Sequence, residues 1–351
     1  MNNEHQSTVN GYIRVVLGKK IVCGILVALV IFTFITDLSV GPARISFFDV
    51  VRALLQPASI DSQTLVIVRV IRLPIAAMAI IVGAALALAG MEMQTILNNS
   101  LASPYTLGIS SAASFGAAIA LIFGSTFLPA AIQNFTMPVF AFGFAIASSL
   151  LIYAIGKIKQ DRNTIILSGI AVNFLFTALN SILHFFVNDQ ILRSLTNWSQ
   201  GNILGATLQK FCIVFIVVAV TAPVLFRDSW KLTALCMGDD TASSLGVRVE
   251  SLRTKVLVLS AVITSVAVCF VGTIGFVGLV APYIAKALVG DEQRFSIPAT
   301  LLTGALMLSV SSILSKSLIP DGQIPLGIIT SIIGIPFLLI LVLRGNGGGK
   351  S

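Results

Sequence analysis

The last eight residues are of types that bind nucleotide phosphates in other proteins. They read RGNGGGKS, from Arg344 to Ser351. A phosphate-binding loop needs a glycine, four further residues and then Gly-Lys-Ser or Gly-Lys-Thr, followed by a helix whose N-terminus faces the phosphates. Arg344 stands where that first glycine is required, and because Ser351 is the last residue of the sequence we expect no helix at the required position. We therefore interpret residues 344–351 as a flexible tail and expect any ATP to be bound by a partner chain.

Residues that bind metals are few and scattered along the chain. The cysteines form no CxxC pair, and the only two histidines are His5 and His184. The cysteines are Cys23, Cys212, Cys236 and Cys269. Neither a zinc site nor a disulfide framework is expected from this pattern. We predict that the chain itself binds no cofactor and no metal.

The composition indicates a protein that is largely surrounded by lipid. Hydrophobic residues make up 56% of the 351 residues, and charged residues only 10%. Soluble domains carry about 25% charged residues. The net charge of +8 arises from basic residues between apolar runs, which indicates membrane topology rather than nucleic-acid binding. We predict an all-α integral membrane protein.

Charge-free runs of membrane-spanning length divide the chain into ten predicted spans. A helix needs about 20 apolar residues to cross the hydrocarbon core. The predicted spans are 21–36, 73–91, two within 93–156, 163–188, 211–226, two within 256–289, 297–315 and 325–343. Pro129, Gln133 and Asn134 mark the first division, and glycines from Gly272 to Gly278 mark the second. The predicted domains are a cytoplasmic segment 1–20, a membrane domain 21–343 and the tail.

The distribution of positive charge predicts the orientation of the chain. With ten spans and a cytoplasmic N-terminus, fifteen of the 22 lysines and arginines fall in cytoplasmic segments and seven fall outside. Cytoplasmic loops of membrane proteins carry this excess of positive charge. We expect both termini to be cytoplasmic in a multi-pass protein.

The most polar interior segment is the predicted cytoplasmic loop 227–253, which contains GDDTASSLGV. In this loop, Asp239 is expected to cap a short helix and Asp240 to lie in its first turn, where an acid favours the helix dipole. Gly246 is expected to end the helix in the left-handed conformation. Such a helix either docks to another protein or is a solvated connector.

Four segments together resemble a known family. They are GDDTASSLGV, IGFVGLVAPYIAKALVGDEQR, RLPIAAMAIIVGAALALAGMEMQTILNNSLASPYTLGIS and IPLGIITSIIGIPFLLILV. The chain resembles, from about residue 60 to 343, the FecCD-type (BtuC-like) permeases of bacterial ABC importers. Members of that family carry ferric siderophores, haem or cobalamin.

The resemblance implies a type II ABC importer permease with ten helices, in which helices 2–5 and 7–10 form inverted halves. It implies a second permease subunit, identical or homologous, and two ATPase subunits that use ATP and Mg. It also implies an extracytoplasmic binding protein that delivers cargo, and a location in the bacterial cytoplasmic membrane. The chain would then be a non-catalytic subunit.

The resemblance also assigns roles to residues on both sides of the membrane. In the family, the segment matching GDDTASSLGV couples to the ATPase. The corresponding residues are Gly238, Asp239, Asp240, Thr241, Ala242, Ser243, Ser244, Leu245 and Gly246. Outward arginines of the family receive the binding protein; Arg72 matches one, whereas Ile75 replaces the second. Arg69 could substitute for it, and Lys316 stands where the family usually has an arginine. Alternatively, all three basic residues are interface anchors with snorkelling stems.

The fifth predicted span contains two further groups of candidate residues. The first residues of this span are Arg162, Asn163 and Thr164. The resemblance implies that they narrow the cytoplasmic exit; alternatively, they cap the helix. A polar stripe on the same helix either lines the path or forms hydrogen bonds between helices; it consists of Asn173, Asn180 and His184. Glu92 lies at the inner end of span two. An acid at membrane depth is a functional candidate, but Glu92 is expected to reach water at the cytoplasmic edge.

Three mechanisms compete: a permease subunit driven by a partner ATPase, an ion-coupled secondary transporter, and a channel. Ion coupling usually needs acidic or histidine side chains near the bilayer midplane, and the predicted spans are nearly free of them. A bare metal ion would also need ligands along its route. A large cargo that is already chelated needs only a wide, weakly binding passage. We therefore expect a ferric siderophore as cargo, and cobalamin and haem fit the same physics.

Overall fold

The computed structural model describes residues 2–43, 45–127, 133–159, 162–319 and 322–345, and within them every regular element is a helix. The first helices are α1 Asn2–Ser39, α2 Phe47–Leu55, α3 Ser62–Val66, α4 Leu73–Leu97, α5 Ile109–Phe127, α6 Gln133–Lys159, α7 Arg162–Phe186 and α8 Asp189–Ser199. The others are α9 Leu208–Arg227, α10 Ser229–Cys236, α11 Asp239–Ser244, α12 Val249–Val271, α13 Val277–Val289, α14 Gln293–Ser317 and α15 Leu326–Gly345. A 3-10 turn, Pro57–Ser59, follows α2, and a π-helical turn, Ile67–Arg72, joins α3 to α4. Residues 346–351 of the predicted tail and Pro129 lie outside the described residues, whereas Arg344 and Gly345 belong to α15.

The fold is an all-helical membrane fold, as predicted. Seven helical segments within the described residues are long and apolar enough to cross a membrane: Gly11–Ser39, Ser62–Leu97, Phe135–Ile158, Asn163–Phe186, Leu208–Arg227, Val249–Val271 and Gln293–Ser317. Three shorter apolar helices, α5, α13 and α15, occupy the other predicted positions. Both predicted divisions of long apolar runs into two helices are confirmed, at α5–α6 and at α12–α13. That ten helices cross the bilayer stays a prediction.

Several boundaries differ from the sequence prediction because helices continue through charged turns. The first helix begins at Asn2 rather than at residue 21. Its 38 residues correspond to about 57 Å, against a hydrocarbon core of roughly 30 Å. The second long helical segment starts at Ser62, not at residue 73, because Arg69 and Arg72 lie inside it. The amphipathic helices α2 and α8 were not predicted, since short polar helices leave no charge-free run.

Helix α4 lies at the centre of the bundle. Every residue from Ile81 to Leu97 is buried, and α4 packs against α9, α12, α13 and α14. Glycines allow the closest approaches: Gly83 lies against Gly304 of α14, and Gly90 against Gly278 of α13. Small residues have this role in membrane bundles, where close van der Waals packing replaces hydrophobic association.

The break between α12 and α13 requires glycine at Gly272. Its φ is 76°, and a Cβ there would overlap the carbonyl oxygen of Trp198. Phe276 also has a positive φ, of 66°. The backbone N–H of Asn202 donates to the Val271 carbonyl at 2.7 Å, so the connection that follows α8 packs on this break. The predicted division of this apolar run at Gly272–Gly278 therefore coincides with the break between α12 and α13.

Candidate functional site

The short helix α11 begins at Asp239, directly after Gly238, whose φ is 112°. Asp239 was expected to be the capping residue. The structure corrects this, because Gly238 occupies the cap position and both Asp239 and Asp240 lie in the first helical turn. Acids in the first turn interact favourably with the unpaired N–H groups of the helix start. The predicted short helix itself is confirmed.

The end of α11 is a complete Schellman motif, in which the last carbonyls of a helix are satisfied across a left-handed residue. The N–H of Gly246 donates to Ser243 at 2.9 Å, and the N–H of Val247 donates to Ala242 at 3.0 Å. Gly246 has φ 81°, as predicted. Both Ala242 and Val247 are buried in the hydrophobic core. The motif therefore fixes the direction in which the chain leaves α11.

One side of α11 is anchored to the protein and the other faces outward. Ala242 is fully buried, whereas Leu245 is 58% exposed. The other exposed residues of the segment are Asp240, Thr241, Ser243, Ser244 and Gly246. An exposed leucine among small polar residues, on a helix with both ends fixed, can insert into a complementary groove of another protein.

Arg253 of α12 anchors α11 from beneath, and sequence analysis did not single it out. Its guanidinium Nη2 lies 2.9 Å from Asp239 Oδ2, and Nη1 lies 2.7 Å from Glu250 Oε1. Its Nε donates to the carbonyl oxygen of Ile96, in the last turn of α4, at 3.1 Å. The Arg253 side chain is 6% exposed. One buried arginine therefore connects α11, α12 and α4.

A second charged cluster holds the start of α10. The carboxylate of Asp228 accepts from Lys231 Nζ at 2.7 Å and from Lys255 Nζ of α12 at 2.6 Å. Burial favours the neutral form of Asp228, but the hydrogen bonds and charges of the two lysines outweigh it, so its pKa lies below the ordinary value. The segment from α10 to α11 is thus tied to α12 at both ends.

The arginines predicted to receive a partner bind backbone carbonyls within the chain. Arg72 Nη1 donates to Leu38 at 2.8 Å and to Ser39 at 2.9 Å, and Nη2 donates to Ala43. Arg72 is 6% exposed. These bonds satisfy carbonyls at the end of α1, which have no partner within the helix.

Arg69 has a similar role at the end of α2. Its Nε donates to the Ala53 carbonyl and its Nη2 to the Leu54 carbonyl, both at 2.9 Å. Arg69 is half-buried. Both arginines therefore make contacts within the fold, and their docking role and the alternative of snorkelling interface anchors both stay predictions.

Lys316 is also enclosed within the chain. Its Nζ lies 2.8 Å from Asp37 Oδ1 of α1, and the side chains are 4% and 0% exposed. Ser312 Oγ donates to the same carboxylate at 2.9 Å. Sequence analysis missed Asp37 because predicted span one ended at residue 36; a single acid one residue beyond an apolar run was the only signal. The docking role of Lys316 likewise stays a prediction.

The three residues of the predicted polar stripe on α7 differ in burial. Asn180 is buried, and its Nδ2 donates to the Ser111 carbonyl of α5 at 3.2 Å, which supports a hydrogen bond between helices. Asn173 and His184 are half-buried. A path-lining role for the three residues stays a prediction.

The predicted exit residues lie at the start of α7. The helix begins at Arg162, Asn163 is exposed, and the Thr164 carbonyl accepts from Ser168 Oγ at 2.6 Å. This placement is compatible with both the gate and the capping interpretation. Neither interpretation is tested by these contacts.

Glu92 does not reach water in the described part of the chain, contrary to the sequence expectation. It is 0% exposed, and neither carboxyl oxygen has a hydrogen-bond partner among the described residues. The expectation failed because α12, α13 and α14 pack around the inner end of α4. Burial of an acid without a hydrogen-bond partner lowers the stability of the fold. An acid at membrane depth is therefore a candidate for a functional residue.

Comparisons with known proteins agree with this architecture. The model of the FecCD transport family matches residues 29–344. The hemin transport system permease HmuU of Yersinia pestis is 30% identical over 93% of this chain and 96% of its own length. The molybdate import system permease MolB of Haemophilus influenzae is 30% identical over 95% of this chain and 98% of its own length. A solved inward-facing ABC transporter described as metal-chelate type superposes with TM-score 0.81, at 29% identity, over 93% of this chain and 99% of its own.

Proposed function

This chain belongs to the FecCD transport family, and we propose that it is the membrane-spanning, non-catalytic subunit of an ATP-driven importer. The observation that carries the proposal is α11, whose inner side is fixed by Ala242 and Arg253 and whose outer side exposes Leu245. Such a helix transmits force only if a partner binds its exposed side. The proposed coupling surface consists of residues 238–246.

We propose that the complete importer contains a second permease subunit, identical or homologous to this one, and two ATPase subunits that bind ATP and Mg. A binding protein delivers cargo on the side opposite α11. The chain is a multi-pass membrane protein; its placement in the bacterial cytoplasmic membrane, with both termini inside, follows from the positive-inside distribution and belongs to the proposal.

The proposed cargo is a ferric siderophore. Relatives are named for haem and for molybdate, and the solved neighbour is described as metal-chelate type. The sequence holds two histidines, and an enclosed chelate needs no metal ligands along its route because its own ligands saturate the metal. Haem and cobalamin are alternatives with the same physical requirement.

The test is transport by the complete importer in proteoliposomes, assembled from this chain with its ATPase and binding-protein partners. We expect ATP-dependent accumulation of a radiolabelled ferric siderophore, in preference to hemin, cobalamin and molybdate, and no ATP hydrolysis by this chain alone. Preference for another of these four cargos would replace the siderophore assignment while leaving the importer assignment intact. ATP hydrolysis by the isolated chain would contradict the non-catalytic role.

The coupling surface is tested by replacing Asp239, Asp240 and Leu245 together by alanine. We expect transport to fall at least tenfold while the protein stays in the membrane. The control replaces Asp291 and Leu288, an exposed acid and an exposed leucine at the end of α13, on the same side of the bundle as α11. Unchanged transport in the triple variant would contradict docking through α11.

One observation favours a second function, an ion-coupled carrier. Glu92 is a fully buried acid without a hydrogen-bond partner among the described residues, and ion-coupled carriers use such groups. Proteoliposomes that contain this chain alone distinguish the two functions. Cargo accumulation driven by a proton or sodium gradient, without an ATPase, would establish the carrier and overturn the importer.

A further inference from the structure

We propose that Arg253 is the positioning residue that passes movement of α11 to the end of α4 and to the loop that follows it. This inference rests on the proposed function, in which α11 receives force from an ATPase. Its basis is the set of contacts that one buried guanidinium makes with three helices.

The first contact joins Arg253 to the helix that receives force. Nη2 of Arg253 lies 2.9 Å from Asp239 Oδ2, in the first turn of α11. A charged hydrogen bond of this kind is short and directional. Because Arg253 is 6% exposed and Asp239 is 35% exposed, water screens the pair only from the α11 side.

The second contact joins Arg253 to α4. The last four carbonyls of a helix have no partner within it, and Arg253 Nε satisfies that of Ile96 at 3.1 Å. The negative end of the helix dipole adds to this attraction. The Arg253 side chain therefore cannot move with α11 without moving the end of α4 or breaking this bond.

The α4–α5 loop begins immediately beyond this contact. Asn98 ends α4 in the left-handed conformation, with φ 46°. Within the loop, the N–H of Ser103 donates to Thr106 Oγ1 at 2.9 Å, and the N–H of Thr106 donates back to Ser103 Oγ at 3.2 Å. These reciprocal bonds fix the part of the loop that leads into α5.

The same loop ends against α7. A Cβ on Gly108 would lie 2.8 Å from the backbone nitrogen of Asn173, so the backbones touch there. A Cβ on Gly169 would meet Leu107. A continuous chain of contacts therefore runs from α11 through Arg253 and the loop to α7, the helix that carries the predicted path residues.

Glu250 provides a control within the same cluster. It binds the same guanidinium at 2.7 Å, but it belongs to α12, three residues before Arg253, and its side chain is 62% exposed. Glu250 therefore stabilises Arg253 without joining a second helix. Loss of the contact between Asp239 and Arg253 should therefore reduce the movement that passes from α11 to α4, whereas loss of the contact between Glu250 and Arg253 should not.

The test compares D239N, R253M, R253K, E250Q and D239N/R253M in the complete importer in proteoliposomes, measuring both cargo uptake and ATP hydrolysis. For D239N and R253M we expect at least a fivefold fall in cargo moved per ATP hydrolysed, with hydrolysis within twofold of the parent. The double variant D239N/R253M should move as much cargo per ATP as R253M alone, because both changes remove the same contact between Asp239 and Arg253. R253K should be intermediate, since one ammonium group cannot replace the fork, and E250Q should match the parent.

Three outcomes would contradict the role of Arg253 or the function on which it rests. If D239N uncouples the importer and R253M does not, Asp239 acts directly on the ATPase, and this inference fails while the proposed function stands. If E250Q uncouples as strongly as D239N, the cluster is only structural. If the alanine variant of Asp239, Asp240 and Leu245 stays coupled, the proposed function fails first.

A distance measurement covers the case in which R253M does not fold. Spin labels at Leu101→Cys and Met237→Cys, in a background without the four native cysteines, report the separation of the loop from the start of α11; both residues are exposed and lie outside residues 238–246. We expect a narrow distance distribution that is unchanged by nucleotide in the parent importer and broadened in D239N. Equal widths in both would overturn the inference.

Discussion

Lys316 of α14 and Asp37 of α1 form an ion pair with an Nζ–Oδ1 distance of 2.8 Å, and both side chains are almost fully buried. Ser312, one turn before Lys316, donates to the same carboxylate. Lys316 can bind a partner's acid only if this pair opens. The two charges thus tie the first long helix to the end of α14.

Replacement of Lys316 by methionine is expected to lower the free energy of unfolding by about 3–5 kcal/mol, because it leaves the Asp37 carboxylate buried without its counter-charge. The measurement is thermal unfolding in detergent. The double variant D37L/K316M should recover most of the loss, since it removes both charges. A loss that persists in full in the double variant would show that the pair is not its source.

Replacement of Arg72 by lysine tests whether this residue has a structural role. Lysine keeps the charge but cannot reach Leu38, Ser39 and Ala43 together. We expect unfolding to become easier by about 1.5–3 kcal/mol, the range for hydrogen bonds to charged groups. R52K is the control, because Arg52 is 63% exposed. Normal stability in R72K, with weaker capture of the binding protein, would instead support docking.

The sequence was sufficient to predict the long apolar helices but not their ends, and it did not predict the short amphipathic helices α2 and α8. Charge-free runs located each long apolar helix, because lipid excludes unpaired charge. They did not reveal that charged side chains at helix ends form hydrogen bonds with distant backbone carbonyls, as Arg72 does at the end of α1. Partners that lie far apart in sequence leave no local signal.

Prediction of the candidate site shows the same limit. The end of α11 was predictable because Gly246 acts through its own backbone conformation. Arg253 was not, since its contact with Ile96 spans 157 residues. The burial of Glu92 depends on three helices from the second half of the chain, and no pattern around residue 92 encodes them.

Replacement of Gly90 by alanine is expected to disrupt the centre of the bundle. A Cβ there would overlap the Gly278 carbonyl, so α4 and α13 would have to separate. We expect a loss of about 1–3 kcal/mol or more in the free energy of unfolding. G143A is the matched control on α6, where a Cβ has no neighbour within 4 Å, and it should be neutral or stabilising by up to about 1 kcal/mol. Equal effects would contradict close packing at Gly90.

The Asp228 cluster predicts a dependence of stability on pH. The pKa of Asp228 in the folded chain lies below its ordinary value of 3.8. The contribution is therefore fully present above pH 3.8 and is lost as the pH falls through the lower, folded pKa. D228N should cost about 1 kcal/mol at pH 7, a modest value because both lysines are partly exposed. Thermal unfolding of both proteins should differ at pH 7, and the difference should shrink as the pH falls below 3.8; a constant difference would contradict the assignment.

Replacement of Glu92 by methionine distinguishes a residue that is merely buried from one with a function. The glutamate is fully enclosed and has no hydrogen-bond partner among the described residues. Methionine has a similar length and no polar oxygen, so we expect the free energy of unfolding to rise by about 1–3 kcal/mol. E92Q, which keeps a polar group, should gain less. Thermal unfolding in detergent measures both.

Transport by the same variants completes this test. In an ATP-driven importer whose coupling runs through α11, E92M should keep ATP-dependent uptake within about twofold of the parent, because Glu92 lies outside the chain of contacts from Asp239 through Arg253 to Ile96. A stabilised E92M protein that no longer transports would instead identify Glu92 as a functional acid retained at a cost to stability. That result would favour the ion-coupled mechanism and would require the gradient-driven assay on this chain alone.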